Sequence, residues 1–415
     1  MSQASAPARI VSLDQFRGYS VAGMFVVNYL GGLAITHQFL KHNNTHFSYA
    51  DSIMPSFILA CGFSYRMSFL KYQGAAEVAV ARKRFFRRSL GLILLSLMLY
   101  GFNSEFSSWS QVTGPSLLEF ATQLIKANMW EVLAIIGACQ VLILPIISSG
   151  FATRLLCLLA AALLHIGLSW SFNYDFVYGR PNWFEPYFGA VGKRAWDGGL
   201  FGLLSWSEIM LCGTLAYDLM HGIKPTAALR RLVLTGMVMM AVGYGLSCLT
   251  RFYDVHDGTD EDRLALRAAH AASPVIPSWS HRPSQGGDGD WREWLADAPF
   301  VVPPPAEQRS HNYWMMDKRV VTQSFVFFSS GFALALLGLF VLCCDVWQIQ
   351  VGVFRTFGQN PLAAYIIHHF VDDAILALVP KDSPLPWVLL GLVTTFGITY
   401  LFVRFLEARK LFLRL

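Results

Sequence analysis

The chain has 415 residues, of which 54% are hydrophobic and only 14% charged, with a net charge of +5 and a mean hydropathy of +0.43. Soluble domains carry about 25% charged residues, so there is too little polar material here to coat a water-facing surface. No extended basic run points to nucleic acid, and residues 1–9 lack the apolar stretch of a cleavable signal peptide.

A helix that crosses a bilayer needs about 20 largely apolar residues. By that measure the sequence predicts an all-α polytopic membrane bundle of about ten transmembrane helices, in a single domain. The candidates are Gly18–His37, Met54–Tyr72, Phe85–Asn103, Trp130–Ser148, Ala152–Phe172, Leu200–Met220, Leu232–Leu249, Phe325–Cys344, Phe357–Leu378 and Trp387–Phe405. Leu117–Lys126 is too short to span and is expected to lie along the interface or re-enter the membrane. The seven cysteines all fall in apolar segments without metal or redox spacing, which predicts small packing residues.

Orientation follows from where Lys and Arg cluster at the helix ends. Arg82, Lys83, Arg84, Arg87 and Arg88 follow the second candidate span, Arg154 the fourth, and Lys224, Arg230 and Arg231 the sixth. Arg409, Lys410 and Arg414 close the chain. With ten spans these groups, together with Arg9 and Arg17, share one side. The expectation is a multi-pass protein of the bacterial inner membrane with both termini cytoplasmic. On the opposite side lie Gln38–Ser52, with His42 and His46, and two segments rich in aromatics, Gly and Pro, Trp109–Met129 and Asn173–Gly199. The long Arg251–Arg319 stretch reads as an irregular loop with one short helix at Asp260–Ala272.

Polar groups are costly inside a bilayer and mark sites. Asp14 and Arg17 sit at the mouth of the first candidate span, Asn28 within it and His42 just beyond it. Asp51 stands where it can cap the helix that runs through Pro55. Glu208 lies inside a span and Glu131 at the edge of another, so either could serve a proton path; Asp345, at a span boundary, is expected to be solvated. His368 and His369 have no second pair at ligand spacing, so no metal is expected.

The segment Ser12-Leu13-Asp14-Gln15-Phe16-Arg17-Gly18, followed by Val27-Asn28-Tyr29-Leu30-Gly31-Gly32, resembles the opening of the heparan-α-glucosaminide N-acetyltransferase family of membrane enzymes. Lys41-His42 and Ala50-Asp51, leading to Pro55, Phe57, Gly62 and Ser64, are similar to later motifs of that family. So are Asp197-Gly198-Gly199-Leu200, the run from Lys318 through Thr322, Ser324 and Phe325 to Gly331, and the helix with Asn360, Tyr365 and His368. The interval from His42 to Asp51 is about one residue shorter than in the family, which keeps His46 as the alternative histidine. Trp130–Ile135 departs from the family's pattern, and the loop Arg251–Arg319 has no counterpart in it.

The resemblance implies an acyltransferase that takes acetyl-CoA as co-substrate and a sugar or polysaccharide, glucosamine-like, as acceptor. Such a transfer needs a base or nucleophile, which His42 can supply, and an oxyanion donor, which Asn28 can supply; Asp51 would orient them. Asp14, Arg17, Arg84, Arg87 and Arg88 are the candidates for binding the donor, the arginines through its phosphates. Asp197, Glu208, Asn360 and His368 are the candidates for the acceptor. A homodimer stays open as an assembly. The competing class is a sugar or metabolite transporter or flippase, which the intramembrane polar residues would also suit; a purely structural scaffold would not need them.

Overall fold

A computed structural model describes residues 10–101, 106–254, 273–279 and 291–413; the short helix expected at Asp260–Ala272 lies outside them. In chain order the helices are α1 (Val11–Gly31), α2 (Tyr49–Phe69), α3 (Ala75–Ser96), α4 (Gly114–Gln123), α5 (Val132–Ile143) and α6 (Phe151–Leu168). The short α7 (Tyr174–Tyr178) and α8 (Glu185–Phe188) follow, then α9 (Gly199–Met220) and α10 (Pro225–Ser247). The chain closes with α11 (Gln323–Phe340), α12 (Gly352–Gln359), α13 (Pro361–Leu376) and α14 (Leu385–Ala408). No strand occurs among the described residues.

Each of the ten apolar segments is largely helical, but fewer meet the measure of a spanning helix. Five stretches are long and apolar enough: Phe151–Tyr178, Gly199–Met220, Pro225–Tyr253, Gln323–Val346 and Leu385–Ala408. A sixth appears if Gly114–Asn128 and Val132–Ile146, bent by 84° against each other, count as one broken span. The physical reason is polarity and interruption. Asp14, Arg17 and Asn28 dilute α1, the basic run dilutes α3, and a break at Asn360, with φ −132° and ψ 55°, divides α12 from α13.

Two small residues set how α1 meets α12. A Cβ at Gly18 would stand 1.7 Å from the carbonyl oxygen of Phe354, and one at Gly358 would stand 1.9 Å from that of Asp14. The helices therefore touch backbone to backbone, as close-packed membrane helices do at small residues. Asp345 is not simply solvated. Its carboxylate accepts from the backbone N–H and hydroxyl of Ser12 and so satisfies the first turn of α1, which has no cap of its own at Ile10. Arg154 is likewise more than an orientation signal. It is fully buried and, with Arg66, pairs with Asp218 at the end of α9.

At the opposite end of the bundle the described parts of the long loop pack against the helices and one another. Tyr253, Val275, Tyr313, Trp314 and Val320 pack with Tyr174 and Val177 into a small second core. Buried Arg309 bridges Asp254 and Asp297. The loop also clamps the Gln38–Ser52 segment: Phe47 N–H donates to Pro299 O at 2.8 Å, and His311 Nε2 lies 3.1 Å from Asn44 O.

Candidate functional site

The first pair of functional side chains is built by the start of α2. Ser48 is the N-cap and Asp51 its partner in a capping box, so the helix begins two residues before Asp51. Asp51 does not end there. Its fully buried carboxylate offers Oδ2 to the N–H groups of Asn43 and Ser48 and to the Ser48 hydroxyl, while Oδ1 lies 2.9 Å from His42 Nδ1. An ionised carboxylate only accepts, so Nδ1 carries the imidazole proton. Nε2 is left as the lone-pair nitrogen, without a hydrogen-bond partner among the described residues. Capping the helix and orienting the histidine are thus one function of one side chain.

The second pair joins α1 to α13. His368 Nδ1 donates to Tyr365 O at 2.6 Å, which leaves Nε2 to accept from the Asn28 amide N–H at 3.3 Å. The ring of Phe25 stacks on His368 with centroids 4.5 Å apart and fixes its plane. Asn28 spends one of its two amide hydrogens on this contact and keeps the other.

Both pairs open on one cavity of about 350 Å³, lined among others by Asn28, His42, Asp197 and His368. Asp197 reaches it through a left-handed turn, with φ of 45°, 79° and 57° at Asp197, Gly198 and Gly199. That turn is held by Gly198 N–H donating to Arg319 O at 2.7 Å and by the Trp206 indole donating to Asp197 O at 2.9 Å. Lys318 Nζ then stands 3.2 Å from Asp197 Oδ1, and the Arg319 guanidinium stacks 4.1 Å over Trp196. Asp317 shapes this Lys318–Arg319 corner from below. It is buried, accepts from the N–H groups of Arg319 and Val320 and from the Tyr178 hydroxyl, and burial raises its pKa.

A second cavity, of about 610 Å³, lies on the side of Arg17. Asp14, Arg17, Arg88 and Gln140 line it with the tail residues Phe412 and Leu413. Phe57 and Tyr365 belong to the walls of both cavities, so these two aromatic side chains stand between them.

The predicted residues therefore divide. Asn28, His42, Asp197 and His368 share the first cavity, with Asp51 behind His42; Asp14, Arg17 and Arg88 share the second. Arg84 and Arg87 line neither: they are exposed, and Arg84 reaches the Tyr72 hydroxyl at 3.3 Å. Glu208 also lies away from both linings, buried, with Gln323 Nε2 at 2.9 Å. Asn360 is a strut. Its amide donates to Leu411 O and accepts from Leu413 N–H, pinning the tail that walls the second cavity. His46 sits outside the first cavity, in a pocket of about 30 Å³ beside Thr250 and Arg309, and burial lowers its pKa.

Among the lining residues that went unpredicted are Tyr100, Trp196, Arg319 and Asp372. Asp372 had a signal, since it follows His368 by four positions and therefore shares its helix face. Trp196 and Arg319 had none, because only the folded chain brings those two segments together. No known protein family matches the chain, and no curated protein matches it.

Proposed function

We propose that the protein is a transmembrane acetyltransferase, which moves an acetyl group from cytoplasmic acetyl-CoA to an amine or hydroxyl of a glucosamine-type sugar on the far side of the membrane. In this proposal the chain crosses a bacterial inner membrane about ten times with both termini inside. The observation that carries it is the two cavities, one with Arg17 and Arg88 and one with His42 and Asn28, meeting at Phe57 and Tyr365.

The donor's phosphates would meet Arg17 and Arg88 by charge-assisted hydrogen bonds, with the thioester reaching the Phe57–Tyr365 wall. His42 Nε2, oriented by Asp51, takes the proton of the acceptor as its nitrogen or oxygen attacks the thioester carbonyl. The free amide hydrogen of Asn28 stabilises the tetrahedral oxyanion. Collapse breaks the C–S bond, and the CoA thiolate takes up a proton. In the variant route His42 itself is acetylated first and the acceptor attacks it in turn.

The test is CoA release from acetyl-CoA by the purified, detergent-solubilised protein, with and without glucosamine and with His42→Ala. Acceptor-dependent release that vanishes in the variant supports the proposal. Absence of release with any acceptor, and of any thermal shift with CoA, would overturn it. A transporter is the second reading, favoured by the helix broken at Asn360 and the pair bent by 84°, since broken helices line transporter sites. Uptake of labelled sugar into proteoliposomes without acetylation would decide for it.

A further inference from the structure

His42 is carried by an irregular segment rather than by a helix, so other contacts must fix its place. Some are local and tie the segment to the start of α2: His42 Nδ1 and Asn43 N–H on Asp51, and the Ser48 hydroxyl on Lys41 O. Among the described residues, two hydrogen bonds reach residues 41–47 from farther along the chain. One joins Phe47 N–H to Pro299 O at 2.8 Å, and the other joins His311 Nε2 to Asn44 O at 3.1 Å. Asn44 lies two residues after His42 and lines the same cavity.

His311 is itself firmly held. Ser310 N–H donates to Tyr253 O and Tyr313 N–H to Pro274 O, each at 3.0 Å. Between them the amide of buried Asn312 donates to the Thr250 hydroxyl at 2.7 Å. Asn44 O can only accept, so His311 Nε2 carries a proton. In the neutral ring Nδ1 then accepts from the Tyr174 hydroxyl, 2.7 Å away. Nε2 also lies 3.8 Å from Oδ2 of Asp317, whose Oδ1 accepts from the N–H groups of Arg319 and Val320. One imidazole thus stands between two parts of the cavity wall, the segment that carries His42 and the turn that places Lys318 and Arg319. His311 does not line the cavity itself.

A reacting group misplaced by about 1 Å can cost about 10²-fold in rate. A contact that sets the place of His42 therefore acts on turnover rather than on donor affinity. We propose that His311 is a positioning residue, whose Nε2–H, through Asn44 O, holds the His42-bearing segment in the cavity wall. The long loop then takes part in the chemistry without touching substrate. The effect on rate rests on the proposed acetyl transfer; the holding contact does not.

Two substitutions separate the two sides of the ring. The amide of Gln reaches the position of Nε2 and can still donate to Asn44 O, whereas that of Asn reaches only the position of Nδ1 and can serve Tyr174 alone. His311→Gln and His311→Asn are compared with wild type by hydrogen exchange of residues 41–48 and by steady-state kinetics with acetyl-CoA and glucosamine. In His311→Asn the segment should exchange about fivefold faster or more. Its kcat should fall about tenfold or more, with the acetyl-CoA KM unchanged. His311→Gln should restore the slow exchange and most of kcat. A clamp that only stabilised the fold would lower the melting temperature of both variants and leave kcat alike in all three proteins. Equal exchange in the two variants, or equal kcat where wild type turns over, would overturn the inference. If His311→Asn does not fold, Tyr174→Phe decides: it removes the hydroxyl that orients the ring and should move both readouts the same way by less, and wild-type behaviour there would overturn the inference too. Exchange that depends on the side chain at position 311, with no CoA release in wild type, would keep the holding contact and sink the acetyl transfer.

Discussion

His42 Nδ1 and Asp51 Oδ1 lie 2.9 Å apart, and the same carboxylate closes the first turn of α2 through Ser48. The geometry of the base and the stability of the helix start are therefore coupled, and two substitutions pull them apart. Asp51→Asn can still accept or donate but no longer fixes the proton on Nδ1, so turnover should fall by about 10²-fold or more. Ser48→Ala removes the cap, at about 1 kcal/mol, and leaves Oδ1 on His42. Turnover measured beside melting temperature should show loss of rate in the first and mainly loss of stability in the second. Equal rates for both proteins would remove Asp51 from the chemistry.

The shared wall makes a sharper demand. Phe57 is buried on α2 and borders both cavities. Enlarging it to Trp should obstruct passage of an acetyl group while leaving the Arg17–Arg88 surface intact. Phe57→Trp should keep the CoA-induced thermal shift of wild type and lose most acceptor-dependent CoA release. Unchanged release would mean that the acetyl group takes another route.

The basic run on α3 divides by position. Arg88 lines the second cavity with Arg17, whereas Arg84 and Arg87 do not. Arg17→Ala and Arg88→Ala should each raise the acetyl-CoA KM about tenfold or more, the loss of one charge-assisted contact. Arg84→Ala and Arg87→Ala should change it little. Steady-state kinetics on the four variants tests this, and a uniform effect would reduce the run to a general field.

Much of this was legible in the sequence, and the gaps have physical reasons. The helical segments show because apolar blocks are long, but the number able to cross a membrane does not. Asn28, Asp14 and the α3 arginines look alike whether they face lipid, a cavity or another helix. His42 and Asp51 could be paired by motif, yet their separation from His46 became plain only when His46 fell into a different pocket. Glu208 drew notice as an intramembrane acid, and the fold buries it against Gln323 rather than in the cavity. Asn360 read as a ligand and is a strut, because its partners lie on a tail with no pattern of its own. The Asp197–Lys318 contact joins two loops whose approach depends on the left-handed turn at Asp197–Gly199.

The glycine motif at the start of the chain has a packing consequence that can be tested without any substrate. Gly18 and Gly31 both lie in α1, but a Cβ at Gly18 would sit 1.7 Å from Phe354 O, whereas one at Gly31 would meet nothing within 4 Å. The obstacle at Gly18 is a backbone carbonyl, so no side chain can turn aside and α12 must move. Overpacking of this kind costs about 1–3 kcal/mol, occasionally more, and would displace Arg17, one residue away, from the second cavity. At Gly31 the same change removes only the backbone freedom of a helical glycine, a gain of up to about 1 kcal/mol. Gly18→Ala should therefore lower the melting temperature and weaken the CoA-induced shift, while Gly31→Ala should hold or raise the melting temperature. If Gly18→Ala melts like wild type, α1 and α12 are not in backbone contact.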